Sequence, residues 1–233
     1  MQGTILAFDT ATTTASVAAY SLATDQLLGE LTWAARRRHT QELLVQTDRL
    51  LQLLALTPGD VTHLAVTTGP GSFTGVRIAI SVVKGMSLAL PDVQVLGMPT
   101  LRVSAAPWLA AAAATPGGTI VCACIQAGRG RYNWTWFPPA ALELYRPAAA
   151  DHTAGSLKEF VAALEAAPGR VWLVGEVDPP LQAEMAHAAH VSLVTGAGDL
   201  RRAGYLAALA ERFFAVGMCD EASSLQPIYL HAP

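Results

Sequence analysis

The chain has 233 residues, 52% of them hydrophobic and 14% charged, with a formal net charge of −3. That length suits one large domain or two small ones packed together; the composition is that of a folded chain, and the negative balance argues against a strong nucleic-acid footprint acting alone. Soluble proteins usually carry about 25% charged residues, so a chain this poor in charge leaves apolar surface, which points to a partner.

The chain opens on Gln2–Phe8, which reads as a strand, followed by Ala15–Tyr20 and Leu27–Trp33, joined by the turn-like Ala23-Thr24-Asp25-Gln26. His39 to Leu56 is predicted as a helix ended by Pro58-Gly59, and Leu64–Thr68 as a short buried strand. Phe73–Leu90 is a second helix stopped by Pro91, Val93–Met98 a strand and Thr100–Ala114 a third helix. Short links between the first three strands force an antiparallel meander, and the helices then supply crossovers to parallel neighbours. The expected result is an α/β fold with a mixed five-stranded sheet, the core of the ribonuclease-H-like and actin-like ATPase group.

Thr115-Pro116-Gly117-Gly118 reads as a hinge between subdomains. Beyond it come predicted strands at Thr119–Gln126, Arg131–Phe137 and Ala141–Tyr145, a helix at Ser156–Ala166 and a strand at Val171–Gly175. A helix at Pro180–Ala188, a short strand at Val191–Val194 and a final helix at Gly198–Val216 complete the order. The second half repeats the first more loosely, and two copies facing a cleft is the actin-like layout. The expected divisions are residues 1–101, 102–197 and 198–233, the last packing back on the first subdomain.

Apolar runs are broken by Arg77, Lys84, Pro91 or Pro107, short of the roughly 18 residues a membrane span needs. MQGTILAFDT places no basic region before its apolar run, so no signal peptide is expected. Of Cys122, Cys124 and Cys219, the first two alternate as on one strand face rather than as a zinc knuckle. A small odd cysteine count suits a reducing cytoplasm.

The stretch TTGPGSFTGVRIAI, Thr67 to Ile80, resembles a phosphate loop opening a helix. A Walker loop needs Lys and then Ser or Thr after its last glycine, whereas Gly75 is followed by Val76-Arg77. The dinucleotide fingerprint needs G-x-G-x-x-G, and Gly69, Gly71 and Gly75 miss it by one position. The reading favoured is a tight turn with Ser72 as N-cap, its hydroxyl accepting from Thr74 or Gly75. On the helix that follows, Ser81, Gly85 and Ala89 lie four apart, a smooth stripe that lets a partner helix approach. Ile78, Val82 and Met86 fill one further side and Ile80, Val83 and Leu88 another, as on a helix buried all round. The leucines of the first helix, Leu43, Leu44, Leu50, Leu51, Leu53 and Leu54, likewise spread over more than one side, favouring an intermolecular bundle.

Asp9-Thr10-Ala11-Thr12, Arg38-His39-Thr40-Gln41 and Gly69-Pro70-Gly71-Ser72-Phe73-Thr74-Gly75-Val76-Arg77-Ile78 resemble the TsaB (YeaZ) family, as does the ending Pro227-Ile228-Tyr229-Leu230. The resemblance is dense over residues 1–101 and thin afterwards. It implies a non-catalytic subunit that pairs with a catalytic paralogue, TsaD. With TsaE, and with threonylcarbamoyl-adenylate from another enzyme, such complexes place threonylcarbamoyl on N6 of adenosine 37 in tRNAs reading codons that start with adenine. It also implies a homodimer when alone, formed by the helices that bind TsaD, and tRNA contact only through the complex. On this reading the partner interface comprises His39, Leu43, Leu50, Gly75, Arg77, Ile78, Ser81, Val82, Gly85 and Ala89. The chain departs from the family at Gln126-Ala127-Gly128-Arg129-Gly130-Arg131, where members usually carry Asp-Ala-Arg-Arg-Gly-Glu. An extra basic pair, Arg36-Arg37, precedes the Arg-His-Thr-Gln motif; tRNA phosphates are one use for it, and a solvated helix start is the reading favoured.

No catalytic residue, metal or cofactor of its own is expected, with nucleotide at an interface shared with partners left open. Asp9 and Thr10 sit where an actin-like ATPase holds nucleotide, but the hairpin Asp9-Thr10-Ala11-Thr12-Thr13-Thr14-Ala15 has no glycine and its β-branched residues stiffen it. This makes Asp9 and Thr10 a vestigial nucleotide hairpin. TsaD-like metal binding uses two histidines four apart, and here Leu43 follows His39. His187 and His190, three apart in an alanine-rich segment, read as a solvated pair. The alternatives are a self-sufficient actin-like phosphotransferase and, behind it, a metallopeptidase-like protein.

Overall fold

The computed structural model describes residues 3–128, 130–139 and 144–230. They divide into two compact units, residues 3–100 with 202–228, and the described residues of 101–201 with 229–230.

In the first unit, β1 (Thr4–Asp9) is buried along its whole length, as a central strand covered on both faces must be. It pairs antiparallel with β2 (Thr14–Ser21), Phe8 opposite Val17, and β2 pairs antiparallel with β3 (Gln26–Ala34). Helix α1 (His39–Leu53) leads to β4 (Val61–Thr67), parallel to β1, and α2 (Phe73–Ala89) leads to β5 (Gln94–Met98), parallel to β4. The sheet order is β3-β2-β1-β4-β5. Leu6, Phe8, Val17, Leu64 and Val66 pack with Leu43 and Leu50 of α1 and with Val76, Ala79 and Val83 of α2.

Helix α1 stops three residues before the predicted Leu56. Ala55 takes a left-handed φ of 52°, and its N–H donates to the Gln52 carbonyl while the Leu56 N–H donates to that of Leu51. This pairing closes a helix C-terminus, here with alanine where glycine is usual.

Helix α3 (Thr100–Ala113), which contains Pro107, belongs to the second unit from Leu101 onward. β6 (Ile120–Gln126) pairs antiparallel with β7 (Arg131–Phe137), which pairs antiparallel with β8 (Thr153–Ser156). After α4 (Leu157–Glu165) comes β9 (Val171–Gly175), parallel to β6, and after α5 (Pro179–Met185) comes β10 (Val191–Leu193), parallel to β9. Its order, β10-β9-β6-β7-β8, reproduces that of the first sheet with the same directions. The predicted strand 141–145 falls largely outside the described residues, and the third strand of this sheet is β8 instead. Its core stacks Trp134 on Phe160 at 4.6 Å. Cys122 and Cys124 are both buried on β6, and burial pushes both thiols up, away from thiolate chemistry.

Helix α6 (Ala203–Ala215) belongs to the first unit and packs on β1, β2 and β3. Alternation along β4 sends Leu64 and Val66 toward α1 and α2 and His63 the other way, onto Phe214 of α6 with ring centroids 4.5 Å apart. The predicted start at Gly198 is corrected: Arg202 is extended, ion-paired with Glu30, and the Ala203 N–H donates to Ser16 Oγ at 2.9 Å. These bonds to β2 and β3 fix where the helix begins. Each unit is thus a ribonuclease-H-like core, and the pair is the actin-like fold.

Burial lowers the pKa of His63 in the first unit and of His152 in the second. The unfolded chain takes up, near the ordinary value of about 6.5, protons the folded chain resists, so this stability is complete above that pH and falls away below it. Urea midpoints should therefore drop between pH 7.5 and 5.5, with a smaller drop in His63→Gln; identical drops in parent and variant would contradict the assignment of His63.

Candidate functional site

The glycine loop is fastened to the first hairpin. The Ser72 N–H donates to the Ala11 carbonyl at 2.7 Å, Thr10 Oγ1 donates to the Gly75 carbonyl at 2.6 Å, and the Gly75 N–H donates to Ser72 Oγ at 3.1 Å. Ser72 is therefore the N-cap of α2. A Cβ at Gly71 would stand 2.4 Å from the Ala11 oxygen, and one at Gly75 2.0 Å from the Thr10 oxygen. On the loop's other side, the Ile228 N–H donates to the Thr68 carbonyl at 2.7 Å, which ties the loop down at that residue. Asp9 is buried, its Oδ1 accepting from the Ala11 N–H at 2.9 Å and from Thr67 Oγ1 at 3.1 Å. The amides of Ala11, Ser72 and Gly75, the kind of donor a phosphate would use, are thus engaged within the protein, and Ser72 opens α2 from the loop.

Along α2, Arg77, Ser81, Gly85 and Ala89 are exposed, while Ile78 and Val82 are half-buried. A Cβ built on Gly85 meets nothing within 4 Å. Between α1 and α2 runs a surface groove of about 390 Å³, lined by Thr40, Leu44, Phe73, Arg77, Ile78 and Ser81 among others. The Arg77 guanidinium lies over the Phe73 ring, 3.7 Å from its centroid. Phe73, Leu44 and Val45 are each about half exposed, and Leu88 is 87% exposed.

Four of the expected interface residues are corrected. Leu43 and Leu50 are core side chains, facing the sheet because they share the inward line of α1 with His39 and Thr47; Leu43 forms only the floor of the groove. His39 is buried, with Nε2 2.8 Å from the Thr12 carbonyl. Gly75 is needed against Thr10, not against a partner. The picture of α2 as a helix buried all round is likewise replaced by one with a single open face.

The sequence reading counted Leu44 among the bundle leucines but missed Phe73 beside it in the groove and the exposed Val45 on α1. The signal for Phe73 was its position four residues before Arg77, the spacing that stacks side chains on a helix. His190 Nε2 lies 3.1 Å from the Leu164 carbonyl and His187 is exposed, so the two are not brought together on a ligand. Among the described residues no group of three His, Cys, Asp or Glu could hold a metal ion. In the divergent Gln126–Arg131 segment, Arg129 lies outside the described residues; the Gln126 N–H donates to Glu176 Oε2 at 2.9 Å.

A family model described as TsaD, tRNA N6-adenosine threonylcarbamoyltransferase, matches residues 30–135. The tRNA threonylcarbamoyladenosine biosynthesis protein TsaB of Escherichia coli (strain K12) is 37% identical over 131 residues, 56% of this chain and 53% of that protein. Its namesake in Bacillus subtilis (strain 168) is 31% identical over 103 residues, 44% of each chain. The chain spans about half the length of the curated relatives it matches. The solved structure of YeaZ from Pseudomonas aeruginosa superposes with a TM-score of 0.73 at 26% identity, covering 99% of this chain and 100% of that one.

Proposed function

We propose that this chain, which belongs to the TsaB (YeaZ) family, acts in tRNA threonylcarbamoyladenosine biosynthesis as a non-catalytic subunit. On this reading it pairs through α1 and α2 with a TsaD-type transferase, works with a TsaE-type protein, and forms a homodimer through the same face when alone. The transferase then carries threonylcarbamoyl to N6 of adenosine 37 in tRNAs that decode codons starting with adenine. All three proteins would work in the cytoplasm, where their tRNA substrate is.

The observation that carries the proposal is the open face of α2. Exposed Leu44, Phe73 and Leu88 accompany a stripe of the small residues Ser81, Gly85 and Ala89, over which a second helix can come close. Burying apolar surface yields about 25 cal/mol per Å², and the groove gives that surface a shape. The rival reading, a self-sufficient phosphotransferase, has little to work with: Asp9 is buried and bonded to Ala11 and Thr67.

Reconstitution tests the proposal. The TsaD- and TsaE-type proteins of the same organism, threonylcarbamoyl-adenylate and tRNA should give modified tRNA only when this chain is added. The chain alone should hydrolyse ATP at the rate of buffer. Full modification without it, or robust ATP turnover by the pure chain that is lost in Asp9→Ala, would refute the subunit role.

A further inference from the structure

We infer that the turn Arg36–Arg37 is a contact for the sugar-phosphate backbone of the RNA substrate, an inference that rests on the tRNA-modifying reading above. β3 ends at Ala34, Ala35 is wholly buried, and Arg36 then takes a φ of 53°. That left-handed conformation suits glycine and asparagine; for a residue with a long side chain it carries strain. The turn cannot relax out of it. The Arg36 N–H donates to the Thr13 carbonyl and the Arg38 N–H to that of Ala35, both at 2.8 Å, while the next residue, His39, is bonded to Thr12. The backbone of Arg36 is thereby held in place at the turn.

The charges themselves are available for it. Arg38 is paired with Glu42 at 3.0 Å, and Glu42 also accepts from Trp33 Nε1 at 2.9 Å. Arg36 and Arg37 are exposed and, among the described residues, form no ion pair. With Ala34 and Arg38 they line a surface hollow of about 650 Å³. Guanidinium forks on a fixed backbone match phosphate oxygens in geometry as well as charge. Location favours RNA over an acidic protein. Arg38 of the hollow stands two residues before Thr40 of the apolar groove, which puts the pair next in the chain to the face assigned to the transferase that holds the tRNA. A chain of net charge −3 exerts no long-range pull on RNA. The contact therefore forms when the complex presents the tRNA, not by the lone subunit.

The test is tRNA binding by the complex reconstituted with the double variant Arg36→Gln/Arg37→Gln, over a range of salt concentrations. The complex should assemble as the parent does. The slope of log affinity against log salt should fall by about 1–2, since each lost phosphate contact removes roughly 0.7–0.9. Arg36→Gly should weaken tRNA binding while melting no lower than the parent, because it relieves the turn. An unchanged slope would make the pair a solvated turn. Failed assembly would make it a protein contact, and Arg36-dependent ATP binding by the chain alone a nucleotide site. Each of these overturns the inference without touching the subunit role. A parent complex that neither binds nor modifies tRNA would sink both.

Discussion

The Gly85→Leu variant is expected to fold as the parent does and to lose its partners. Gly85 is exposed, and a side chain there meets nothing of its own subunit within 4 Å. Leucine also favours helix over glycine by roughly 0.5–0.8 kcal/mol, so the melting temperature should not fall. Against a second helix packed on the Ser81, Gly85 and Ala89 stripe, the branched side chain occupies the space of the partner's backbone. Overpacking of this kind costs about 1–3 kcal/mol, a loss of roughly 5- to 150-fold in affinity. Homodimer and TsaD complex should weaken together, because one face is proposed to serve both. Sedimentation of the variant beside a pull-down with the TsaD-type paralogue measures this. A variant that is folded, dimeric and still binds TsaD would show that the face lies outside both contacts.

Gly75→Ala should do the reverse and damage the fold itself. The added Cβ would stand 2.0 Å from the Thr10 carbonyl oxygen, a backbone atom of the first hairpin. Relieving the clash means moving α2 away from β1 and β2, and that movement breaks the Ser72–Ala11 and Thr10–Gly75 hydrogen bonds together. Steric strain and buried polar groups left unpaired together cost about 3 kcal/mol or more, which outweighs the roughly 1 kcal/mol of helix propensity alanine brings. Urea unfolding should show a much lower midpoint for Gly75→Ala and an unchanged or higher one for Gly85→Ala. Equal stability of Gly75→Ala and parent would mean that the loop is not fastened as described.

Those two glycines mark how far the sequence could be read. The sheets were legible because strand alternation and connection length determine pairing and direction: short links made β1, β2 and β3 a meander, and helical crossovers made β4 and β5 parallel. The launch of α2 was legible from Ser72 and Gly75. Gly75 and Gly85 look alike in a helix of 17 residues, and only the Thr10 carbonyl tells the packed one from the open one. On α1 every leucine looked equally able to face a partner. The inward line is His39, Leu43, Thr47 and Leu50, and polar Thr47 obscured it, since its hydroxyl is satisfied by the Leu43 carbonyl at 2.8 Å. The start of α6 was illegible for a different reason: the ion pair of Arg202 with Glu30 joins residues far apart in the chain. The low charged content did foretell uncovered apolar surface, and Leu44, Val45, Leu53 and Leu88 supply it.

The central claim, that this face is where the transferase docks, is tested most directly by oxidative footprinting of the chain with and without its TsaD-type paralogue. Phe73 and Met218 are both exposed in the single chain, at 53% and 43%, but only Phe73 lines the groove between α1 and α2. At concentrations low enough to keep the chain monomeric, both should be oxidised. Adding the paralogue should protect Phe73 and leave Met218 reactive. Phe73 oxidised as fast in the complex as in the free chain would contradict the account.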